Sequence, residues 1–134
     1  MFYVIILIIL SLISTFAFGN IVRLKSAAIG NKWPQNIIPY VISEAYIKSD
    51  RELIEKTLRS LESNIAINEK KCIQFVPRKN HQSYIRFQDA DDCSSAVGYF
   101  SGLNVLKLSK KKCIRKGLIL HELMHGYGFL LEFE

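Results

Sequence analysis

The stretch that most constrains the fold of this chain spans residues 117–129 and reads GLILHELMHGYGF. Placed on a helix, it is apolar on most sides, which is typical of a helix buried between other elements. It also carries two histidines and a glutamate. Such groups are stable in a protein interior only when partners offset their lost hydration. The fold must therefore enclose this helix and supply a partner for its polar residues.

The spacing of those polar residues indicates a metal site. His121 and His125 are four residues apart, so their rings project from one helix face, which suits two ligands of a tetrahedral zinc ion. Glu122 lies one step round the helix and can take a proton from water at such an ion. The pattern fixes only three residues. The alternative is an amphipathic helix with two polar histidines and a solvated glutamate, which the buried context disfavours.

The remaining patterns predict an α+β domain built mostly on a single sheet. Residues 37–42 are β-branched and aromatic and predict a strand in which Pro39 favours an edge position. Ser49 and Glu52 form a capping-box pattern, and the apolar stripe after them predicts a long helix that covers the sheet. Further strands are predicted at 72–76, 83–88, 95–99 and 104–109, before the metal helix at Gly117.

The first 19 residues have the pattern of a secretory signal peptide. Residues 2–10 are continuously apolar, and Ala17 to Gly19 offers small residues at the spacing of a cleavage site. An uncleaved membrane anchor is the alternative, because about 18 apolar residues nearly span a bilayer. We predict secretion, without stable membrane association after signal removal. Residues 20–31 are predicted to form a short pro-segment or linker, and residues 32–134 a single domain.

Composition narrows the set of partners. The net charge is +6, but the basic runs carry no interleaved aromatic residues, so we predict solvated turns and no nucleic-acid binding. The acidic stretch 89–92 lacks the glycine and downstream glutamate of a calcium loop and is predicted to be a solvated turn. The cysteines are Cys72, Cys93 and Cys113. This odd number leaves a free thiol, an intermolecular disulfide or a missing partner, and no CxxC spacing suggests a cysteine zinc site.

Several motifs in a fixed order resemble the astacin family of zinc metalloendopeptidases. They run from Trp33-Pro34 and Ile38-Pro39-Tyr40 through residues 72–78, 84–85, 93–98, 106–108, 113 and 117 to HELMH and residues 128–132. The resemblance implies a zincin-like N-terminal subdomain, with one mixed twisted sheet, a long covering helix and the metal helix. It also implies that His121 and His125 bind one zinc ion and that Glu122 is general base and then proton donor in peptide-bond hydrolysis.

The same resemblance assigns further roles. It implies a disulfide between Cys93 and Cys113. Cys72 matches a cysteine whose family partner lies near the end of the catalytic domain, which is expected to lie beyond this chain. Residues 94–99 match the edge strand on which the family docks an extended peptide or protein substrate by β-augmentation.

One residue beyond the motif matches the family. Glu132 corresponds to the glutamate that contacts the new N-terminus after activation, here Ala27 or Ala28.

The departures from the family pattern concern the metal site. The family motif continues to a third histidine, and Leu131 holds that position. The family's C-terminal subdomain is expected to be missing, so we predict a weakened zinc site and little turnover, unless Glu132 or Glu134 substitutes as a ligand. The alternative function is an inactive pseudoprotease or gene fragment that binds peptides or a partner chain.

Overall fold

A computed structural model describes residues 24–28 and 30–133 of the chain, with side chains described over residues 30–128. The predicted signal peptide and the first part of the predicted pro-segment lie outside the described residues. In chain order the elements are β1 (Leu24–Ala28), a 3-10 turn (Pro34–Asn36), β2 (Ile37–Ile42), α1 (Lys48–Asn64), β3 (Gln74–Pro77), β4 (Tyr84–Gln88), β5 (Cys93–Ser95), β6 (Leu103–Leu108), α2 (Lys116–Tyr127) and β7 (Phe129–Phe133).

The predicted mixed sheet is confirmed. Five strands are hydrogen-bonded in the order β3-β2-β4-β6-β5. The pairs β2–β3, β2–β4 and β4–β6 are parallel, and β5 runs antiparallel to β6 at one edge. A second, two-stranded antiparallel sheet joins β1 to β7. It was not predicted, because a pairing between distant segments leaves no local periodicity that marks either strand.

One hydrophobic core lies between the five-stranded sheet and the two helices. The predicted stripe on α1 is buried at Ile54, Leu58 and Leu61 and packs with Ile119 and Leu123 of α2. The strands contribute the alternate residues that face the helices, as the period of a strand requires: Ile38, Tyr40, Phe75, Ile85, Phe87, Leu106 and Leu108. The buried helix inferred from residues 117–129 is therefore held against α1 and against the β6–β5 side of the sheet.

Three local predictions were wrong. The helix α1 begins at Lys48 with Ile47 as its N-cap and has no side-chain cap. The Ile47 carbonyl already accepts the amides of Asp50 and Arg51 at 3.1 Å. Ser49 is therefore inside the first turn, where it has helical rather than N-cap geometry.

Pro39 lies in an inner strand rather than in an edge strand. The pairing of β2 with β3 includes Pro39, whereas its pairing with β4 begins only at Tyr40. At Pro39 the strand is thus flanked on one side only, so the missing amide of proline removes no bond from the β4 ladder.

The strand predicted at 95–99 forms instead at Cys93–Ser95. Gly98 has φ +82°, and its amide donates to the carbonyl of His125 at 2.8 Å. This bond draws the chain towards α2 and out of the ladder. Over the described residues, neither helix is long and apolar enough to cross a bilayer.

Candidate metal centre

The helix α2 brings the two histidines of the motif together. The Nε2 atoms of His121 and His125 lie 2.9 Å apart, and the rings are perpendicular with centroids 4.5 Å apart. Two zinc–nitrogen bonds of about 2.05 Å that span this separation enclose an angle of about 90°, against about 109° in an ideal tetrahedron. A small opening of the two rings therefore gives the geometry of two zinc ligands, and the residues fit the ion.

Glu122 is the acid–base candidate beside the histidines. It is buried, with only 7% of its surface exposed. Burial raises the pKa of its carboxyl group; His121 and His125 act in the opposite direction, and Asp92 adds to the rise. A carboxylate with a raised pKa accepts a proton more readily, which suits a general base.

His121 and Glu122 open onto a cleft at the first half of α2. The cleft has a volume of about 790 Å³ and is lined by Arg115, Gly117, Leu118, His121 and Glu122. Leu118 exposes 38% of its surface there, so the cleft offers apolar surface next to the polar pair. Such a combination of apolar walls with a few convergent polar groups is typical of ligand-binding clefts.

A third protein ligand is absent from the side chains of residues 30–128. No group of three or more His, Cys, Asp or Glu residues that could hold a metal occurs in this part of the chain. Leu131 lies in β7, where its backbone pairs with Ser26, and Glu132 pairs with Lys25. The side chains of β7 and residue 134 lie outside the described part. The predicted contact of Glu132 with a new N-terminus therefore stays a prediction.

The chain turns sharply at Gly128, directly after α2. This residue is the C-cap of α2, with φ +118° and ψ +13°, and its amide donates to the carbonyls of Met124 and His125. A left-handed cap of this kind favours glycine because a Cβ atom is strained there. It directs the chain away from the helix immediately after the motif.

Sequence reasoning missed the residues that hold the end of α2. The indole Nε1 of Trp33 donates to the carbonyl of Gly126 at 3.0 Å, and Gly98 donates to that of His125. The amide of Gly30 donates to the carbonyl of Gly128 at 3.2 Å. Carbonyls in the last turn of a helix have no partner within it, so these distant segments fix the turn that carries His125. Trp33 and Gly98 were noted only as parts of the family pattern.

The cysteines are arranged as the resemblance implied. Cys93 of β5 and Cys113 form a disulfide with their Cα atoms 5.9 Å apart. This bond joins the edge strand to the segment that leads into α2. Cys72 is a free, half-buried cysteine. The disulfide therefore restrains β5, which packs against α2, relative to the segment that leads into that helix.

The acidic stretch after β4 forms ion pairs with lysines. A carboxylate oxygen of Asp89 accepts the backbone amide of Lys110 at 2.9 Å, and the Lys110 ammonium lies 3.0 Å from the other. Asp92 is 4.0 Å from the Lys107 ammonium. These contacts agree with the predicted solvated turn.

The sequence of this chain matches those of known peptidases. Residues 25–134 match the family model for astacin, a family of peptidases. The low choriolytic enzyme of Oryzias latipes is 31% identical over 118 residues, which are 84% of this chain and 41% of that enzyme. Zinc metalloproteinase nas-7 of Caenorhabditis elegans is 39% identical over 103 residues, or 76% of this chain and 25% of that protein.

A solved structure agrees with these relatives. High choriolytic enzyme 1, a hatching enzyme zinc-protease from medaka, superposes with a TM-score of 0.63 at 33% identity and covers 76% of this chain and 49% of its own. The chain thus spans less than half the length of these three relatives. On the family match and the shared fold, the chain belongs to the astacin family, whose members are zinc metalloendopeptidases.

Proposed function

We propose that this chain contributes the metal-bearing part of a secreted zinc metalloendopeptidase that hydrolyses peptide bonds. The observation that carries the proposal is the convergence of the His121 and His125 Nε2 atoms, 2.9 Å apart, beside the buried carboxyl group of Glu122. In this proposal residues 1–19 are a signal peptide, residues 20–31 a pro-segment or linker, and residues 32–134 the protease domain.

The roles of the residues follow from their positions. His121 and His125 would hold zinc, which when bound polarises a peptide carbonyl and makes water acidic near neutral pH. Glu122 accepts a proton from the attacking water and then donates it to the leaving amine. Its carboxyl group is largely buried, and its raised pKa favours retention of the proton between the two steps.

The substrate is proposed to bind as an extended strand along β5. In the described residues β5 pairs with β6 on one side only, so its outer edge carries backbone groups that a peptide can satisfy by β-augmentation. The disulfide at Cys93 holds this edge beside α2. A peptide backbone on β5 would therefore run past the two histidines.

The zinc site of this chain is proposed to be weak. Leu131 has no lone pair to donate at the position of the family's third ligand, and even a lost supporting partner typically lowers metal affinity about 10–100-fold. We expect the affinity of the oxidised full chain for zinc, measured by competition with a chromogenic chelator, to rise at least about 10-fold in Leu131→His. His125→Ala should abolish this binding.

His81, the histidine outside the metal motif, supplies the matched control. Its Nδ1 accepts the backbone amide of Lys79. His81→Ala should leave zinc affinity unchanged. Equal affinities in wild type and His125→Ala would overturn the proposed metal site.

Catalysis is tested separately from metal binding. In a version of the chain that carries Leu131→His and a C-terminal half from the family, we expect peptide cleavage. Adding Glu122→Gln to that version should remove cleavage while zinc affinity changes by no more than a few-fold, because glutamine cannot accept the proton. Cleavage that survives Glu122→Gln would show that another group is the base.

The second candidate is an inactive relative that binds peptides or a partner chain. The open edge of β5 and the leucine at position 131 favour it, because peptide pairing needs neither zinc nor Glu122. Peptide binding that is equal with and without zinc, and absence of cleavage when zinc is bound, would distinguish it. An intermolecular disulfide through Cys72 belongs to this candidate and is tested by the mass of the unreduced chain.

A further inference from the structure

Positive charge is concentrated in one short segment between β6 and α2. Residues 107–116, the basic segment, contain six of the 18 lysines and arginines of the chain, and no aspartate or glutamate lies between Asp92 and Glu122. A run of this kind is typical of sites that bind polyanions. All six basic residues are exposed: Lys107, Lys110, Lys111, Lys112, Arg115 and Lys116.

The fold itself neutralises only part of this charge. The Lys110 ammonium lies 3.0 Å from a carboxylate oxygen of Asp89, and the Lys107 ammonium lies 4.0 Å from one of Asp92. Among the side chains of residues 30–128, the other four cations of the basic segment form no ion pair. Four like charges within six residues repel one another, and a bound polyanion would relieve that repulsion.

Hydrogen bonds and a disulfide fix the backbone of the basic segment. The amide of Cys113 donates to the carbonyl of Ser109 at 2.8 Å, which closes a turn around the three lysines between them. Cys113 is fully buried and is bonded to Cys93. The Lys112 ammonium donates to the carbonyl of Asp91 at 3.3 Å. A backbone that is already ordered loses less entropy when it binds a partner.

The chemistry of the basic segment favours a polyanion that has neither bases nor lipid chains. It contains no aromatic residue, whereas single-stranded nucleic acids bind by stacking their bases on aromatic side chains. Leu108 is buried and Ile114 half-buried, whereas a membrane-surface site inserts apolar side chains into the lipid. A sulfated polysaccharide requires neither feature, because its anionic groups are carried on polar sugar rings.

We propose that the basic segment binds a sulfated polysaccharide of the extracellular matrix. The choice of this polyanion rests on the proposed secretion of the chain, since such polymers are extracellular. Arg115 also lines the cleft at His121, so a polymer on the basic segment would lie beside the candidate metal centre. The site would thus localise the proposed peptidase on the matrix.

Binding is tested with a fluorescent heparin oligosaccharide as the probe. We expect the oxidised full chain to bind it with an affinity that falls as the salt concentration rises, because binding releases counterions. The triple variant Lys111→Gln, Lys112→Gln, Lys116→Gln should bind about 100-fold more weakly, because each lysine that faces a polyanion contributes about 5-fold. Equal binding of the oligosaccharide after removal of its sulfate groups would overturn the proposal.

A second triple variant removes the same charge elsewhere on the surface. Lys32, Lys56 and Lys79 are exposed and lie outside the basic segment, so their replacement by glutamine should weaken binding by no more than about 3-fold. Replacing the three lysines of the basic segment by arginine should retain the affinity, because arginine keeps the charge. Equal losses in the two glutamine variants would overturn the proposal, because net charge alone would then explain binding.

Other polyanions decide between classes of partner. Equal affinity for single-stranded DNA, poly-glutamate or phosphatidylserine vesicles at the same salt concentration would overturn the choice of a sulfated polysaccharide. The proposed metal site is judged without any polymer, by zinc affinity and its loss in His125→Ala. Secretion is judged by the appearance of the chain without residues 1–19 in the culture medium. Failure of the inference can therefore be told from failure of the proposed function.

Discussion

At the scale of the residue, Glu62 connects α1 to β3 from a fully buried position. Its Oε1 atom accepts the backbone amide of Phe75 at 2.6 Å and the Arg59 guanidinium at 2.9 Å. Its Oε2 atom accepts the Lys71 ammonium at 2.9 Å. Only 1% of the glutamate is exposed, so its charge is stable there only because these donors surround it.

We expect Glu62→Gln to lower the free energy of unfolding by about 1–3 kcal/mol, because charge-assisted hydrogen bonds in the interior are replaced by neutral ones. Urea denaturation measures the loss. Glu52→Gln on the same helix is the control: its pair with Lys48 is long, at 3.8 Å, and exposed, and should contribute at most about 0.5 kcal/mol. Equal losses in the two variants would contradict the assigned role of Glu62.

The pH dependence of stability is tested at Asp89. Hydrogen bonds from the backbone amide and the side chain of Lys110 lower the pKa of this carboxyl group below its usual value. A carboxyl group with a lower pKa in the folded state stabilises the fold above its unfolded pKa of about 4, and this stabilisation is lost as pH falls through the folded pKa.

Asp89→Asn should therefore destabilise the chain at pH 7 and lose this effect at the lowest pH at which the chain is still folded. Thermal unfolding of both proteins from pH 7 downwards measures the difference. The same substitution at the exposed neighbour Asp91 serves as the control. A loss of stability in Asp89→Asn that is equal at all pH values would show that the ion pair is not its cause.

At the scale of the element, α2 is bounded by two glycines with opposite roles. Gly117 is its second residue, and a Cβ atom there would meet nothing within 4 Å. Gly128 caps the other end with φ +118°. Alanine is favoured over glycine inside a helix, whereas the left-handed region is unfavourable for any residue with a Cβ atom.

These positions predict changes of opposite sign. Gly117→Ala should stabilise the chain by up to about 1 kcal/mol, and Gly128→Ala should destabilise it by about 1–2 kcal/mol. The comparison is made by urea denaturation of the two variants in the oxidised form. A stabilising Gly128→Ala would mean that the cap is not held in the left-handed conformation in solution.

Sequence patterns located most elements but not their neighbours. The stripe from Ile54 to Leu61 and the alternation at 84–88 are local, so they predicted α1 and β4 directly. The inner position of Pro39 and the end of β5 at Ser95 depend on contacts with other segments. A window of neighbouring residues contains no record of such contacts, which is why these two predictions were wrong. The start of α1 is set within its own first turn, where the Ile47 carbonyl accepts the first helical bonds.

At the scale of the whole molecule, one disulfide bond links the edge strand β5 to the segment before α2. The disulfide joins Cys93 and Cys113 across a separation of 20 residues. A closed loop of this size stabilises a fold by about 3 kcal/mol, chiefly by restricting the unfolded chain.

We expect the double substitution of Cys93 and Cys113 by serine to lower the free energy of unfolding by about this amount. The affinity for peptides along β5 should fall as well, because the edge strand loses its link to the segment before α2. Cys72→Ser, at a half-buried cysteine outside the disulfide, is the control and should change stability little. Unchanged stability of the double variant would show that the bond does not form in solution.

The sequence by itself determined the chemistry of the candidate site. The spacing in HELMH brings the histidines and the glutamate to one helix, because the helical repeat fixes which side chains are neighbours. The sequence also shows leucine at position 131, where the family has its third zinc ligand. It shows glycine at position 128, the residue type that the left-handed cap of α2 favours.

Only the tertiary structure decided how that helix is held. The carbonyls of the last turn of α2 are bonded by Gly98 and Trp33, which lie 27 and 93 residues from their acceptors His125 and Gly126. The same Trp33 lines a pocket with residues of β2 and of the segment after β5. Contacts between such distant segments form because burial of a shared core brings them together, and no local pattern records that outcome.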